Sequence, residues 1–215
     1  MKMLAKITAI AAAFAVCAIA AQADKPDMAE WDFHQAEKAY EAGYPKNAVK
    51  YYKQACDAGY ARACYELGRA YYNGEGVEQS NEKANELFKK ACDANEADGC
   101  LNLGFSYEDG EGVKKDIARA TELYKKGCDL GEPLSCNNLG YWYEQGEGVK
   151  QDYKKAIELY KRACEGDESI GCYNLAELYK NGTGVKKDIK KAAEYYAKAC
   201  FFGDLEACDK RDELQ

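Results

Sequence analysis

Residues 101–136 read LNLGFSYEDGEGVKKDIARATELYKKGCDLGEPLSC, and residues 65–100, 137–172 and 173–208 align with them without gaps. Every block carries the same skeleton, in which Leu103, Gly104 and Tyr107 correspond to Leu67, Gly68 and Tyr71, to Leu139, Gly140 and Tyr143, and to Leu175, Ala176 and Tyr179. Leu and Tyr four apart make an apolar stripe on a first helix. The small residue beside the Leu admits a neighbouring helix, which accounts for a Gly that costs about 1 kcal/mol inside a helix. Gly-x-Gly then ends that helix at Gly74/Gly76, Gly110/Gly112, Gly146/Gly148 and Gly182/Gly184. Two glycines permit positive φ and a chain reversal.

Four residues beyond the second Gly stand Ser80, Asp116, Asp152 and Asp188, each suited to cap a second helix by accepting from its free N–H groups. Ala156, Leu159, Tyr160 and Ala163 show the apolar i, i+3, i+4, i+7 face of that helix, as do Ala84, Leu87, Phe88 and Ala91. A shorter block, 31–64, precedes these, with Gly43-Tyr44-Pro45 as its turn and Pro45 at the first position of its second helix. The tail, 209–215, is too short for a full closing helix and is expected to fray or add one polar turn. The reading is a single repeat domain over 24–215, all-α, a right-handed α/α solenoid of tetratricopeptide-like helix hairpins.

Ten of the eleven cysteines fall into pairs of one spacing, Cys56/Cys64, Cys92/Cys100, Cys128/Cys136, Cys164/Cys172 and Cys200/Cys208. Joined as neighbours, each pair would tie the end of one second helix to the start of the next first helix. A rival pairing of the Cys64–Cys92 type strands Cys56 and Cys208, whereas the neighbour pairing uses all ten. Each short bridge would contribute about 2–3 kcal/mol. A redox or metal role finds little support, because C-x-x-C is absent and His34 is the single histidine. No cofactor or metal is expected.

Cys17 lies apart, in an apolar run from Ile7 to Ala20 that follows Lys2 and Lys6 and precedes Ala21-Gln22-Ala23. Residues 1–23 read as a signal peptide, too short to span a bilayer comfortably, with cleavage after Ala23. Lipidation of Cys17 is the lesser reading, since lipoprotein processing requires a small residue where Val16 stands. A secreted or periplasmic location follows, an oxidising compartment in which disulfides persist. Removing two of 30 basic residues and none of 37 acidic ones leaves 28 − 37, a net charge of −9. That balance disfavours nucleic acid and anionic membrane as partners. Arg211-Asp212-Glu213-Leu214 is not a retrieval signal, because Gln215 follows it.

The Leu-Gly-x-x-Tyr helix and the Gly-x-Gly-Val-x-x-Asp turn resemble Sel-one-like (SLR) repeats. With a C-x7-C pair in every repeat and an export signal, the chain is similar to the Helicobacter cysteine-rich protein family over nearly its whole mature length. A mitochondrial respiratory-assembly branch shares cysteine-bearing repeats, but this export signal is bacterial in kind. The resemblance implies a disulfide-bridged solenoid, export, and a concave face that binds a protein or peptide. Members are also described as penicillin-binding proteins or β-lactamases, which implies β-lactam or peptidoglycan-like small molecules as alternative ligands and a hydrolase of antibiotic resistance as an alternative function.

If first helices line the concave face, Asn102, Asn138 and Asn174 form a ladder there, with Glu66 in the first full block. An amide can both donate to and accept from an extended peptide backbone. Tyr65, Arg69, Phe105, Tyr141 and Glu177 should lie nearby, and the change of residue at one repeat position, Arg69 to Phe105 to Tyr141 to Glu177, would make the groove selective. The same asparagines can instead bond between helices while the aromatics pack. For the enzyme alternative the single S-x-x-K is Ser80-Asn81-Glu82-Lys83. It lacks S-D-N and K-T-G companions, and the aspartates at the equivalent place point to capping. The non-reduced mature protein should weigh ten protons less than the fully reduced one and start at Asp24; mass spectrometry that finds labelled free thiols would contradict the five-bridge reading.

Overall fold

A computed structural model describes residues 28–214; the expected signal peptide, its expected cleavage site and Cys17 lie outside the described residues. Among the described residues there are eleven helices and no strands. They are α1 (Met28–Glu41), α2 (Pro45–Asp57), α3 (Ala61–Asn73), α4 (Asn81–Asp93), α5 (Ala97–Asp109), α6 (Ile117–Asp129), α7 (Pro133–Gln145), α8 (Tyr153–Glu165), α9 (Ser169–Asn181), α10 (Ile189–Phe201) and α11 (Leu205–Asp212). Successive helices pack against each other along the chain, and α7 also touches α9, so the stack is an α/α solenoid in which each hairpin meets its neighbours. No helix among the described residues is long and apolar enough to cross a membrane.

Local chemistry sets each boundary. Gly74, Gly110, Gly146 and Gly182 close the first helices in the left-handed region, at φ between 74 and 81°. Side chains of Ser80, Asp116, Asp152 and Asp188 accept from N–H groups in the first turn of α4, α6, α8 and α10. Pro45 opens α2, where a missing N–H costs nothing. First helices start three residues before the second cysteine of each pair, so a hairpin spans 61–93 where counting by cysteines puts a block at 65–100. Residues 209–212 form the last turn of α11, which starts at Leu205, is capped by Asp204 and carries Lys210 and Arg211 in that turn, cations that suit a helix C-terminus.

The core is a column rather than a centre. Tyr52, Phe88, Tyr124, Tyr160 and Tyr196, one from each second helix, are buried in register, flanked by Ala48, Ala84, Ala120, Ala156 and Ala192. Each ring of the three middle copies lies over the glycine of its first helix: a Cβ on Gly68 would sit 2.7 Å from the Phe88 ring, on Gly104 2.5 Å from Tyr124 and on Gly140 2.9 Å from Tyr160. The second glycine of each turn works between repeats. A Cβ on Gly76 would lie 2.6 Å from the Pro45 backbone, and one on Gly112 2.6 Å from that of Asn81.

Bridges join Cys56–Cys64, Cys92–Cys100, Cys128–Cys136, Cys164–Cys172 and Cys200–Cys208, with Cα atoms 4.6–4.8 Å apart. Beside them a second tie recurs: Lys90 Nζ donates to the Cys56 carbonyl at 2.8 Å, Lys126 Nζ to that of Cys92 at 2.5 Å, and Arg162 to that of Cys128 at 2.8 Å. Each cation thus satisfies a carbonyl at the end of the preceding second helix. Gly104→Ala should lower unfolding stability by about 1–3 kcal/mol despite alanine's better helix propensity, because the added methyl must displace a fully buried ring. Denaturant titration checks this, and an unchanged midpoint would contradict it.

Candidate functional site

First helices carry the residues that the sequence nominated for a binding face. Asn102, Asn138 and Asn174 are half-buried, and the amides of Asn102 and Asn174 donate within the protein. Asn102 Nδ2 donates to the Asp98 carbonyl one turn back, at 2.9 Å. Asn174 Nδ2 donates to Asn137 Oδ1 at 2.9 Å, a bond between α9 and α7, and Asn137 Nδ2 donates to Asn138 Oδ1 at 3.2 Å. Asn138 Nδ2 is buried with no hydrogen-bond partner among the described residues; it acts on the ionisation of the Tyr124 phenol but falls outside hydrogen-bond geometry. One of these amides thus bonds within its own helix and one joins two helices.

The variable position one turn further on is more open. Arg69 is exposed and donates to Glu66 at 3.1 Å. Phe105 packs its ring on Tyr124 with centroids 5.8 Å apart. Tyr141 is 44% exposed, its ring edge-on to Trp142. Glu177 accepts from Lys180 Nζ at 2.6 Å, from Asn181 at 3.2 Å and from the Tyr196 hydroxyl. Burial pushes the Glu177 carboxyl up, but these donors outweigh it and hold the group below the usual carboxylate range. Tyr65 packs on Phe88, with the Arg62 guanidinium 4.8 Å from its ring centre. Arg62 itself is paired with Glu66, Glu96 and Asp98, so the N-terminal third of the face is ionic and the middle aromatic.

A second set of residues was not anticipated. Tyr124 donates to Glu108 at 2.6 Å and Tyr160 to Glu144 at 2.8 Å, and Trp142 of the next first helix donates to the same Glu108 at 3.2 Å. Burial, reinforced by the adjacent carboxylate, pushes both phenols far above the ordinary tyrosine value. Glu108 thus couples two repeats through buried hydrogen bonds. The signal was present in the sequence as Tyr72, Glu108, Glu144 and Lys180 at one repeat position.

Ser80 and Lys83 both have structural partners. Ser80 Oγ accepts from the Lys83 backbone N–H at 3.3 Å and donates to Glu82 at 3.0 Å, while Lys83 Nζ lies 5.2 Å from the Tyr71 ring centre. Arg119, Lys155 and Lys191 lie in the same way over Tyr107, Tyr143 and Tyr179, so Lys83 follows a structural pattern of the repeat. His34 is exposed and pairs with Glu37 at 3.2 Å. Among the described residues no group of three or more His, Cys, Asp or Glu could hold a metal ion.

Known proteins share this arrangement. The Sel1 repeat family matches residues 45–60, 61–96, 97–132, 133–168 and 169–200. The Sel1 repeat protein of Oxalobacter formigenes superposes with a TM-score of 0.79 at 29% identity, over 87% of this chain and 79% of that one. The protective antigen c5321 of uropathogenic Escherichia coli, which displays an SLR fold, gives 0.78 at 29% identity, over 85% of this chain and 40% of the antigen. Cysteine-rich protein B of Helicobacter pylori gives 0.50 at 31% identity, over 61% of this chain and 97% of that one. “Putative beta-lactamase HcpE” of the same organism is 45% identical over 42 residues, so the chain spans only 12% of that relative's length. Five tandem matches, the helix hairpins and the cysteine pairing together place this chain in the Sel1 repeat family.

Proposed function

We propose that the protein is an exported scaffold that holds a protein or peptide partner on the face formed by its first helices. One observation carries the reading: the position one turn beyond the asparagines changes from Arg69 to Phe105, Tyr141 and Glu177, and it is exposed in two of the four copies, at Arg69 and Tyr141. Variation at a position that stays accessible in two repeats, beside a column of buried rings that is nearly uniform, is what a selective contact surface requires. An exposed Tyr141 backed by Trp142 is a large, stiff, amphipathic contact of the kind that anchors interfaces. Sel1 repeats generally mediate protein interactions, which agrees. Five disulfides suit an extracytoplasmic compartment, as a cleaved leader over residues 1–23 would provide.

The hydrolase alternative has no support in the geometry, because Ser80 is engaged as a cap and Lys83 lies over a ring. Purified oxidised protein is expected to show no turnover of a chromogenic β-lactam above that of Ser80→Ala. Photo-crosslinking discriminates the binding face: a reactive residue placed at Tyr141 on α7 should trap a partner from the exporting cell. The same group at the exposed Glu122 on α6 should not. Equal trapping from both positions would remove the first-helix face as the site.

A further inference from the structure

Aligned by its ring contacts, the first hairpin keeps the buried tyrosine and the carboxylate of the last one but not its lysine. Phe33 packs on Tyr52 as Tyr173 packs on Tyr196, with centroids 5.8 and 5.5 Å apart. In that register Glu37 takes the place of Glu177 and Tyr40 the place of Lys180. The last hairpin uses its three groups to bind an ammonium: Lys180 Nζ lies 2.6 Å from Glu177 and 3.1 Å from the Tyr196 hydroxyl. The first hairpin supplies no such cation, since Tyr40 instead turns outward and donates to Glu75 at 2.9 Å.

Tyr52 is left with an unusual hydroxyl. The residue is 7% exposed, yet its oxygen has no hydrogen-bond partner among the described residues, whereas Tyr124, Tyr160 and Tyr196 all donate to a carboxylate. It faces a cavity of about 210 Å³ between α1, α2 and α3, floored by Ala48, Val49 and Ala70. Glu37, Glu41, Glu66 and Glu75 line this cavity against one guanidinium, Arg69, which Glu66 already engages. Burial first, then the charges of Glu66 and Glu37, push the Tyr52 phenol up to about 12, so it is a neutral hydroxyl at physiological pH.

We propose that this cavity receives a primary ammonium group of the bound partner, seated between the Tyr52 hydroxyl and Glu37 as Lys180 is seated between Tyr196 and Glu177. The phenol accepts one N–H of the ammonium while its own proton turns to a carboxylate, Glu37 or Glu66, so each polar group gains a partner. Four carboxylates supply the field and the apolar floor strengthens it. The ammonium belongs either to a lysine side chain or to a peptide N-terminus, and both carry the three donors that the site can use. The inference rests on the first-helix face for its partner, but the cavity can be tested without one.

Oxidised protein with isotope-labelled tyrosine rings is titrated with Nα-acetyl-lysine amide and with alanine amide, the Tyr52 signal being assigned from Tyr52→Phe. At least one amine should shift that signal saturably, and the fully acetylated counterparts should not. Response to the lysine compound alone assigns a side chain, and response to alanine amide alone a terminus. Glu37→Gln, a change at an exposed residue that should leave melting unaltered, should weaken the response about tenfold or more. Glu177→Gln should not. Silence with both amines, or an unchanged response in Glu37→Gln, overturns the proposal, and neither result bears on crosslinking at Tyr141.

Discussion

The approach of a second-helix ring to a first-helix glycine sets the spacing of everything else. Phe88, Tyr124 and Tyr160 fill notches at Gly68, Gly104 and Gly140 that would close with a single added methyl. The ring removes a large apolar surface from water, and the glycine lets two backbones come close enough for the ring to be enclosed. Once that distance is set, the turn must reverse the chain within few residues, which the left-handed glycines do. The next hairpin must then start where a cysteine can reach its neighbour. Bridges and cation-to-carbonyl ties therefore secure a geometry that packing has already chosen.

The column's hydroxyls join structure to surface. A buried phenol requires an acceptor, and Tyr124 and Tyr160 find one in Glu108 and Glu144 of their own hairpins. Those carboxylates sit on the first helices, one helical turn from the variable position, so the proposed contact surface is held by the same groups that satisfy the core. Phe88 needs no acceptor, and Tyr72 stands where the acid would be. The repeat thus varies in pairs, ring with partner, and the first and last hairpins show what happens when one member of the pair is exchanged.

Much of this architecture was legible in the residues. Gly74, Asp116, Pro45 and the paired cysteines each carry one local conformational or covalent consequence, so their spacing alone gives helices, turns, caps and staples. Asn102 and Asn174 were harder, because an amide can serve a ligand, a carbonyl of its own helix or a neighbouring helix equally well, and only coordinates show that one bonds backwards to Asp98 and the other across to Asn137. Glu108 was overlooked because a carboxylate on a helix ordinarily reads as a solvated face. Tyr52 was hidden by the short Gly43-Tyr44-Pro45 turn, which breaks the register of the first block and with it the comparison with Tyr196.

Bridges at every hairpin junction also give the molecule a mechanical character. Tension applied between its ends passes through a sulfur–sulfur bond at each junction, and only one hairpin's worth of chain lies between successive bonds. Extension would proceed in small, equal steps of limited length, each hairpin opening while its anchors hold the next in place. A scaffold built this way can be pulled, crowded or partly opened and still return each hairpin to its own neighbour.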